Sequence, residues 1–348
     1  MLTLKVLPAF NGDCLLISFQ EGDVTRNILI DGGIRRTYPR HLRKEIEKII
    51  HSGQSIDLLI VTHIDDDHIG GIIELFRDSK IDKTIIKKVW FNSFKTISNY
   101  YPEINIEPLE VSIDFDNKMG VRDGNTLEKA LSALDCWEKQ VIHFNKKFID
   151  YKLFNSKITV LSPLHEGIVA LEKLWESKTT LEPKTKQDTK MARKENDYKK
   201  SIEDLLKNRF SEDKSISNRS SISILFEYQE KKLLLLGDSH PTDIIYSLNR
   251  LGYNETRKLK IDFVKLSHHA SKKNTSVDLL KIIECKNFII CTDGSKHNLP
   301  NKESLSRVID HFSGVNLYFN YKIYEDIFTE EEMKTHNFVC YPITDLEV

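Results

Sequence analysis

Two histidines and three aspartates fall within six residues at His63-Ile64-Asp65-Asp66-Asp67-His68. Imidazole nitrogens and carboxylate oxygens are ligand atoms for zinc, manganese and similar divalent cations, and a turn of this length can aim several of them at one point. Consecutive carboxylates repel one another unless water or a cation neutralises them, and a buried cation does so most strongly. A solvated acidic turn capping a helix would use one Asp and would leave both histidines without a reason. The spacing points to a metal loop.

Three other places offer partners. Asp31 closes the run Asn27-Ile28-Leu29-Ile30 before Gly32-Gly33, where the backbone can turn sharply beside it. Asp238 follows Leu233-Leu234-Leu235-Leu236-Gly237, so it stands at the end of a buried strand, where an unpaired carboxylate would be costly. His268 and His269 end another apolar run; neighbouring side chains point apart, so each needs its own partner. Asn218, Ser221, Lys296 and His297 also border strands, where they could reach substrate oxygens or act as ordinary turn residues.

The surrounding pattern supplies the elements that must position these groups. Residues 2–8, 14–20 and 26–31 read as strands separated by turn signals, Leu42, Ile46, Ile49 and Ile50 as a helix, and 57–62 as the strand that carries the metal loop. Ile69, Ile72, Ile73 and Phe76 continue that loop as a helix. Ile85 to Phe91 reads as a strand, Ser93 to Gly120 as a loop over the rim of the site, and Asp123-Gly124-Asn125 as the opening of a helix carrying Leu127, Leu131, Leu134 and Trp137. Residues 157–162 return to strand. The Lys-rich stretch 176–219 reads as a solvated insertion, with one helix around Tyr198, Ile202, Leu205 and Leu206, or as a basic flap that touches a phosphate backbone. Beyond it, Ser221–Tyr228 and Lys232–Leu236 form a hairpin, 242–251 a helix and Asp262–Leu266 a strand; 276–284, 287–292, 302–312 and 315–320 alternate helix and strand. Two β-rich halves flanked by helices imply an α/β fold, a four-layer αββα sandwich with the ligands meeting at one edge.

The segments His63-Ile64-Asp65-Asp66-Asp67-His68, Asp31-Gly32-Gly33, Leu236-Gly237-Asp238 and Lys265-Leu266-Ser267-His268-His269-Ala270-Ser271 together resemble the metallo-β-lactamase superfamily, with Asp65 where many members carry a second His. Asn11-Gly12-Asp13-Cys14 and Thr292-Asp293-Gly294-Ser295-Lys296-His297 resemble one branch, the soluble hydrolase domain of the competence DNA-uptake channel and free-standing bacterial relatives. Some of those relatives lie beside phage-defence genes. The resemblance implies one metallo-β-lactamase-like domain over 1–348 and two divalent metal ions, Zn or Mn. One ion would take His63, Asp65 and Asp238, the other Asp67, His68, Asp238 and His269, with Asp238 bridging and Asp31 orienting the loop. Of the paired histidines, His269 is expected on the metal and His268 on the scissile phosphate or as proton donor, although the reverse assignment stands beside it. The implied chemistry is hydrolysis of a phosphodiester, nucleic acid or a small diester, by a metal-activated hydroxide in which Asp67 is essential. Hydrolysis of an amide, ester or thioester is the alternative, as is a metal-stabilised sensor or scaffold with a protein partner in antiviral defence. Two departures matter. A middle-segment His has only His143 and His165 as candidates, which leaves one-ion occupancy open, and Leu299 stands where relatives often carry another His. Choline-phosphate esterases of this fold also use an Asp-for-His loop with fewer histidines.

Composition agrees with a globular chain. Its 348 residues are 40% hydrophobic and 30% charged, and the net charge of -1 gives no overall basic signal for nucleic acid, though a local patch stays open. No apolar run reaches bilayer length, and the N-terminus reads as a strand without a leader, so a cytoplasmic, membrane-free protein is expected. The five cysteines lack Cys-x-x-Cys spacing and read as reduced core residues.

Overall fold

The four leucines Leu233–Leu236 divide between two cores. Leu233 and Leu235 face one, Leu234 and Leu236 the other, as the two-residue period of a strand requires when both its faces are covered. The same division runs through the whole protein. The structure, a computed structural model, describes residues 1–100, 115–179 and 196–348.

The first half contains β1 (Leu2–Val6), β2 (Leu15–Glu21), β3 (Val24–Ile30), α1 (Arg43–His51), β4 (Leu58–Ile60), α2 (Asp66–Arg77), β5 (Val89–Trp90), α3 (Phe94–Tyr100), α4 (Phe115–Leu131), β6 (Tyr151–Leu153), β7 (Ser156–Ser162) and α5 (His165–Thr179). The second contains α6 (Ile202–Leu206), α7 (Ile216–Arg219), β8 (Ser223–Tyr228), β9 (Lys231–Leu235), α8 (Pro241–Arg250), β10 (Leu259–Lys260), β11 (Phe263–Lys265), α9 (Val277–Ile282), β12 (Ile283–Glu284), β13 (Asn287–Ile290), α10 (Lys302–His311), β14 (Val315–Phe319), β15 (Phe338–Pro342) and β16 (Asp345–Glu347). One sheet has the order β16-β1-β2-β3-β4-β5 and the other β15-β14-β13-β11-β9-β8-β7-β6, while β10 and β12 form a short parallel pair.

Between the sheets lies a core built from alternate residues of both, including Leu4, Ile17, Phe19, Ile28 and Leu58 of one and Ile158, Phe226, Leu233 and Ile289 of the other. Phe19 and Phe226 meet across it with ring centroids 5.6 Å apart. The outer face of the first sheet packs on α1, α2, α4 and α5 through Ile46, Ile72, Leu127 and Trp175. That of the second packs on α6, α8, α9 and α10 through Ile202, Ile244, Leu280 and Leu305. This is the αββα arrangement expected. Burial of each large apolar side chain contributes roughly 1.5–3 kcal/mol.

Parallel pairing brings the site together. Ile30 sits opposite Ile60 and Leu235 opposite Lys265, so the segments that leave β3, β4, β9 and β11 emerge at the same edge. Ile222 N–H donates to Thr62 O at 2.9 Å and ties the sheets there.

Several expectations change. The strand expected over Ile85–Phe91 is only Val89–Trp90, preceded by a single tight turn, Lys83–Ile85. The rim loop expected over 93–120 contains α3 and the start of α4; its residues 101–114 lie outside the described residues. Asp123-Gly124-Asn125 does not open a helix but lies inside α4, which ends at Leu131. Gly124 is there for close approach: a Cβ would lie 2.6 Å from the Trp175 ring. Residues 180–195 of the Lys-rich stretch lie outside the described residues, whereas 196–219 is no solvated spacer, since Ile202 and Leu205 are buried and α6 packs on α10. Sequence reasoning did not foresee β16, which pairs antiparallel with β1 and carries the C-terminal segment onto the first sheet. All five cysteines are free thiols. Among the described residues no helix is long and apolar enough to cross a membrane.

Candidate metal centre

Asp65 is the residue before α2, yet its side chain does not cap that helix. Its Oδ1 accepts from Ser217 Oγ at 2.5 Å, and its Oδ2 lies 3.5 Å from His63 Nε2. The metal-loop side chains therefore turn inward. His68, in the first turn of α2, is completely buried.

Asp238 Oδ2 is the common point. It lies 3.4 Å from His68 Nε2, 3.8 Å from His63 Nε2, 3.8 Å from His269 Nε2 and 3.9 Å from His268 Nε2. Asp67 Oδ2 joins from the other side, 3.6 Å from His269 Nε2. Ligand atoms of His63, His68 and Asp238, and of Asp67, His68 and His269, form two groups, each compact enough for one ion. A third group, Asp13, Asp31 and His68, shares the same imidazole.

The inner shell is fixed from behind. Asp31, with φ of 59°, accepts from Thr62 N–H at 2.8 Å and Thr62 Oγ1 at 2.7 Å, and holds His68 Nδ1 at 2.7 Å. His63 Nδ1 lies 3.0 Å from Thr62 Oγ1, and His269 Nδ1 lies 2.7 Å from the Cys291 carbonyl. A His269 Nδ1–H donated to that carbonyl leaves the Nε2 lone pair facing the site, which is how an outer hydrogen bond selects a ligand tautomer. The Nε2 atoms of His63, His68 and His269 are buried and have no hydrogen-bond partner. Buried nitrogens without partners are costly, and a cation among them removes that cost. The residues present therefore fit divalent metal. With Asp31→Ala, metal affinity is expected to fall about 10- to 100-fold, as measured by competition with a fluorescent chelator.

The electrostatics agree. Burial alone would raise the Asp238 carboxyl, but the His68, His268 and His269 imidazoles hold it well below the usual carboxylate range. Burial depresses His269, yet Asp238 and Asp13 raise it to about 9. Asp67, pushed up by burial, is brought below its ordinary value by His269 and His68.

The paired histidines occupy left-handed backbone, φ 48° and 51°, and this turn lets the Nε2 atoms of both neighbouring residues approach Asp238 Oδ2, at 3.9 and 3.8 Å. His269 is buried among the ligands; His268 is the more open imidazole, with 24% side-chain exposure against 2% for His269. His268 Nδ1 lies 3.1 Å from Asn274 Oδ1, 3.2 Å from Asn218 Nδ2 and 3.4 Å from Asp213 Oδ2.

Asn218 and Ser221, expected as substrate contacts, are buried and engaged. Asn218 donates to Asp213 at 2.7 Å, and Ser221 Oγ accepts from Asp238 N–H at 3.0 Å. Lys296 is exposed on the side of Asp66, whose carboxyl burial raises and Arg35 and Lys296 lower. His297 is exposed, with φ of 57°. Neither belongs to the converging groups, nor do His143, His165, His268 and the expected ligand Asp65, which stays 3.5 Å from His63 Nε2 but is held by Ser217.

Sequence reasoning did not single out four residues that back the candidate ligands. Asp13 lies 3.3 Å from His269 Nδ1 and pairs with the fully buried Lys265, which also donates to Gly237 O at 3.0 Å and lies 3.8 Å from Asp238 Oδ1. Asn11 donates to Asp67 Oδ2 at 3.1 Å. The loop approaches so closely that a Cβ on Gly12 would stand 2.0 Å from the Asp67 carbonyl oxygen. Asp213, within the Lys-rich stretch, backs His268. The lysine had a signal, a charge inside the apolar run Phe263-Val264-Lys265-Leu266; Asp213 had none.

A sequence model of the Metallo-beta-lactamase superfamily matches residues 7–130, the part that carries Asp31, His63, Asp65, Asp67 and His68. The match makes this first part of the chain similar to that superfamily and agrees with the layered αββα fold. No curated protein matches it. Among solved structures, the metallo-beta-lactamase fold protein YhfI from Bacillus subtilis is 11% identical with 100% of both chains covered and a TM-score of 0.42. Zn(2+)-bound PqqB from Methylobacterium extorquens is 9% identical, covering 99% of this chain and 100% of its own, with a TM-score of 0.43. A putative metal-dependent hydrolase from Parabacteroides distasonis is 10% identical, covering 97% and 92%, with a TM-score of 0.38.

Proposed function

We propose that this protein is a metal-dependent phosphodiesterase. One observation carries the reading: three buried imidazole Nε2 atoms, none with a hydrogen-bond partner, lie 3.4 to 3.8 Å from one carboxylate oxygen of Asp238. His63, Asp65 and Asp238 would hold one cation, and Asp67, His68, Asp238 and His269 a second. Zinc or manganese bound there would supply a Lewis acid for phosphoryl oxygens and nucleophilic hydroxide near neutral pH. The carboxylate-rich donor set suits hard phosphate oxygens better than the carbonyl of an amide.

The chain's own groups do the rest. Asp31 and the Cys291 carbonyl fix the tautomers of His68 and His269, and Asn11 restrains Asp67. His268 has its Nδ1 face backed by Asn274, Asn218 and Asp213, and its Nε2 is turned toward the centre at a partly exposed position. There it can touch the scissile phosphate and return a proton to the leaving oxygen.

The test is hydrolysis of labelled single- and double-stranded DNA, RNA, bis-p-nitrophenyl phosphate and p-nitrophenyl acetate by protein loaded with Zn or Mn. Turnover of at least one phosphodiester, abolished by EDTA and restored by metal, is the expected result. Inactivity on every phosphodiester would overturn the reading, and turnover of the acetate alone would favour ester hydrolysis.

A further inference from the structure

We infer that a basic cavity beside the His268–His269 turn is a second phosphate subsite, which makes the substrate a nucleic acid strand and not a small diester. The ligand class rests on the phosphodiesterase reading; the site itself rests on separate residues. A cavity of about 440 Å³ opens where the end of the Lys-rich stretch meets the loop after the paired histidines. Lys200, Asn208 and Arg209 line it from the stretch, Lys272 and Lys273 from the loop, and Glu303 from α10.

Charge decides what this cavity can take. Four cations face one carboxylate, and that carboxylate is already committed: Glu303 pairs with Arg307, accepts from Asn208 at 2.8 Å and lies 3.4 Å from Lys272 Nζ. Among the described residues Lys200, Arg209 and Lys273 have no acidic partner within ion-pair distance. In a protein of net charge -1, so local an excess marks a site for an anion.

The framework is held while the charged ends stay exposed. Arg307 Nη1 donates to the Lys272 carbonyl at 2.7 Å, Asp213 N–H to the Lys273 carbonyl at 3.1 Å, and Lys272 N–H to Asn301 Oδ1 at 2.9 Å. Asp213 thus touches both His268 and the loop that carries the cavity lysines. Lys272 follows His269 by three residues, so their Cα atoms lie within about 11 Å of each other. A strand whose scissile phosphate met the centre would therefore have a neighbouring phosphate within reach of the cavity lysines. A small diester has no second phosphate to place there.

The test is binding of a fluorescein-labelled 16-nucleotide oligothymidylate, followed by anisotropy across a salt series in EDTA, with bis-p-nitrophenyl phosphate hydrolysis measured separately on the metal-loaded protein. The triple change Lys200→Ala, Arg209→Ala and Lys273→Ala is expected to weaken binding at least about tenfold. It should also lower the slope of log affinity against log salt by about two, because each neutralised phosphate of a single strand adds about 0.7 to that slope. Arg209→Ala alone repeats the measurement should the triple variant lose its fold, with a slope change below one. Unchanged affinity and slope, no binding by the unaltered protein, or equal competition by polyglutamate at matched charge would each overturn the subsite. Failure to bind oligothymidylate by a protein that hydrolyses bis-p-nitrophenyl phosphate removes the subsite and leaves the phosphodiesterase. Cavity-dependent binding by a protein that hydrolyses no phosphodiester does the reverse.

Discussion

Changing Asp238 to Asn is expected to strip divalent metal from the purified protein and to lower phosphodiester hydrolysis by about 1,000-fold or more, beyond the 10- to 100-fold typical of a group one step behind a ligand. The reason is position: one oxygen of this buried carboxylate lies within 3.9 Å of four imidazole Nε2 atoms, so it belongs to one candidate ion position and borders the other. Asn keeps the size of the side chain and leaves the backbone N–H to Ser221 Oγ intact, so the fold should persist. The loss of charge should also lower the proton affinity of His68 and His269, which burial depresses and Asp238 raises. Metal content by inductively coupled plasma mass spectrometry and turnover of bis-p-nitrophenyl phosphate provide the readouts. A variant with full metal content would rule out Asp238 as the shared ligand.

Lys265→Met should instead be felt mainly as stability. Lys265 and Asp13 are both buried and paired, and removing the ammonium leaves Asp13 buried without its main counter-charge near the Asp31 carboxylate. Breaking a buried pair from one side costs about 3–5 kcal/mol, which for a chain of this size is roughly 4–7 °C in Tm. Asp13→Asn with Lys265→Met should cost less than the two single changes added together, since no orphan charge remains. The pH dependence has a defined sign. Burial raises the Asp13 carboxyl, but Lys265 and His269 bring it from 3.8 to about 2. Its contribution is therefore present above pH 3.8 and lost as pH falls through about 2. Burial lowers Lys265, but Asp13 and Asp238 raise it above 10.5, so its contribution is complete below 10.5 and fades only above its raised value. The Met variant should lose the acid-sensitive part of stability between pH 4 and 2, read by urea melts across that range. An unaltered acid limb and an unaltered Tm would show that the pair contributes nothing.

Residue types and spacing alone singled out the candidate ligands His63, Asp67, His68, Asp238 and His269 and the strand ends that carry them. Short-range chemistry makes that legible: a His-x-Asp-x-Asp-His turn has no comfortable structure without a partner, and a carboxylate after four leucines must be answered by something. The unbroken apolar run Leu233–Leu236 likewise encodes a strand covered on both faces, and hence the layered fold. Which side chains stand behind the candidate ligands emerges only from long-range packing. Asp13 reads as a turn residue, Asn218 as a possible substrate contact and Asp213 as part of a solvated stretch; pairing across 50 to 250 residues turns them into supports for His268 and His269. Gly124 shows the same limit from the other direction, since a helix-opening signal is overridden when the indole of Trp175 occupies the space of a missing side chain. Local propensities are worth about 1 kcal/mol, less than burying an aromatic ring or answering a buried charge. Contacts that arise only from long-range packing leave no mark in the local sequence.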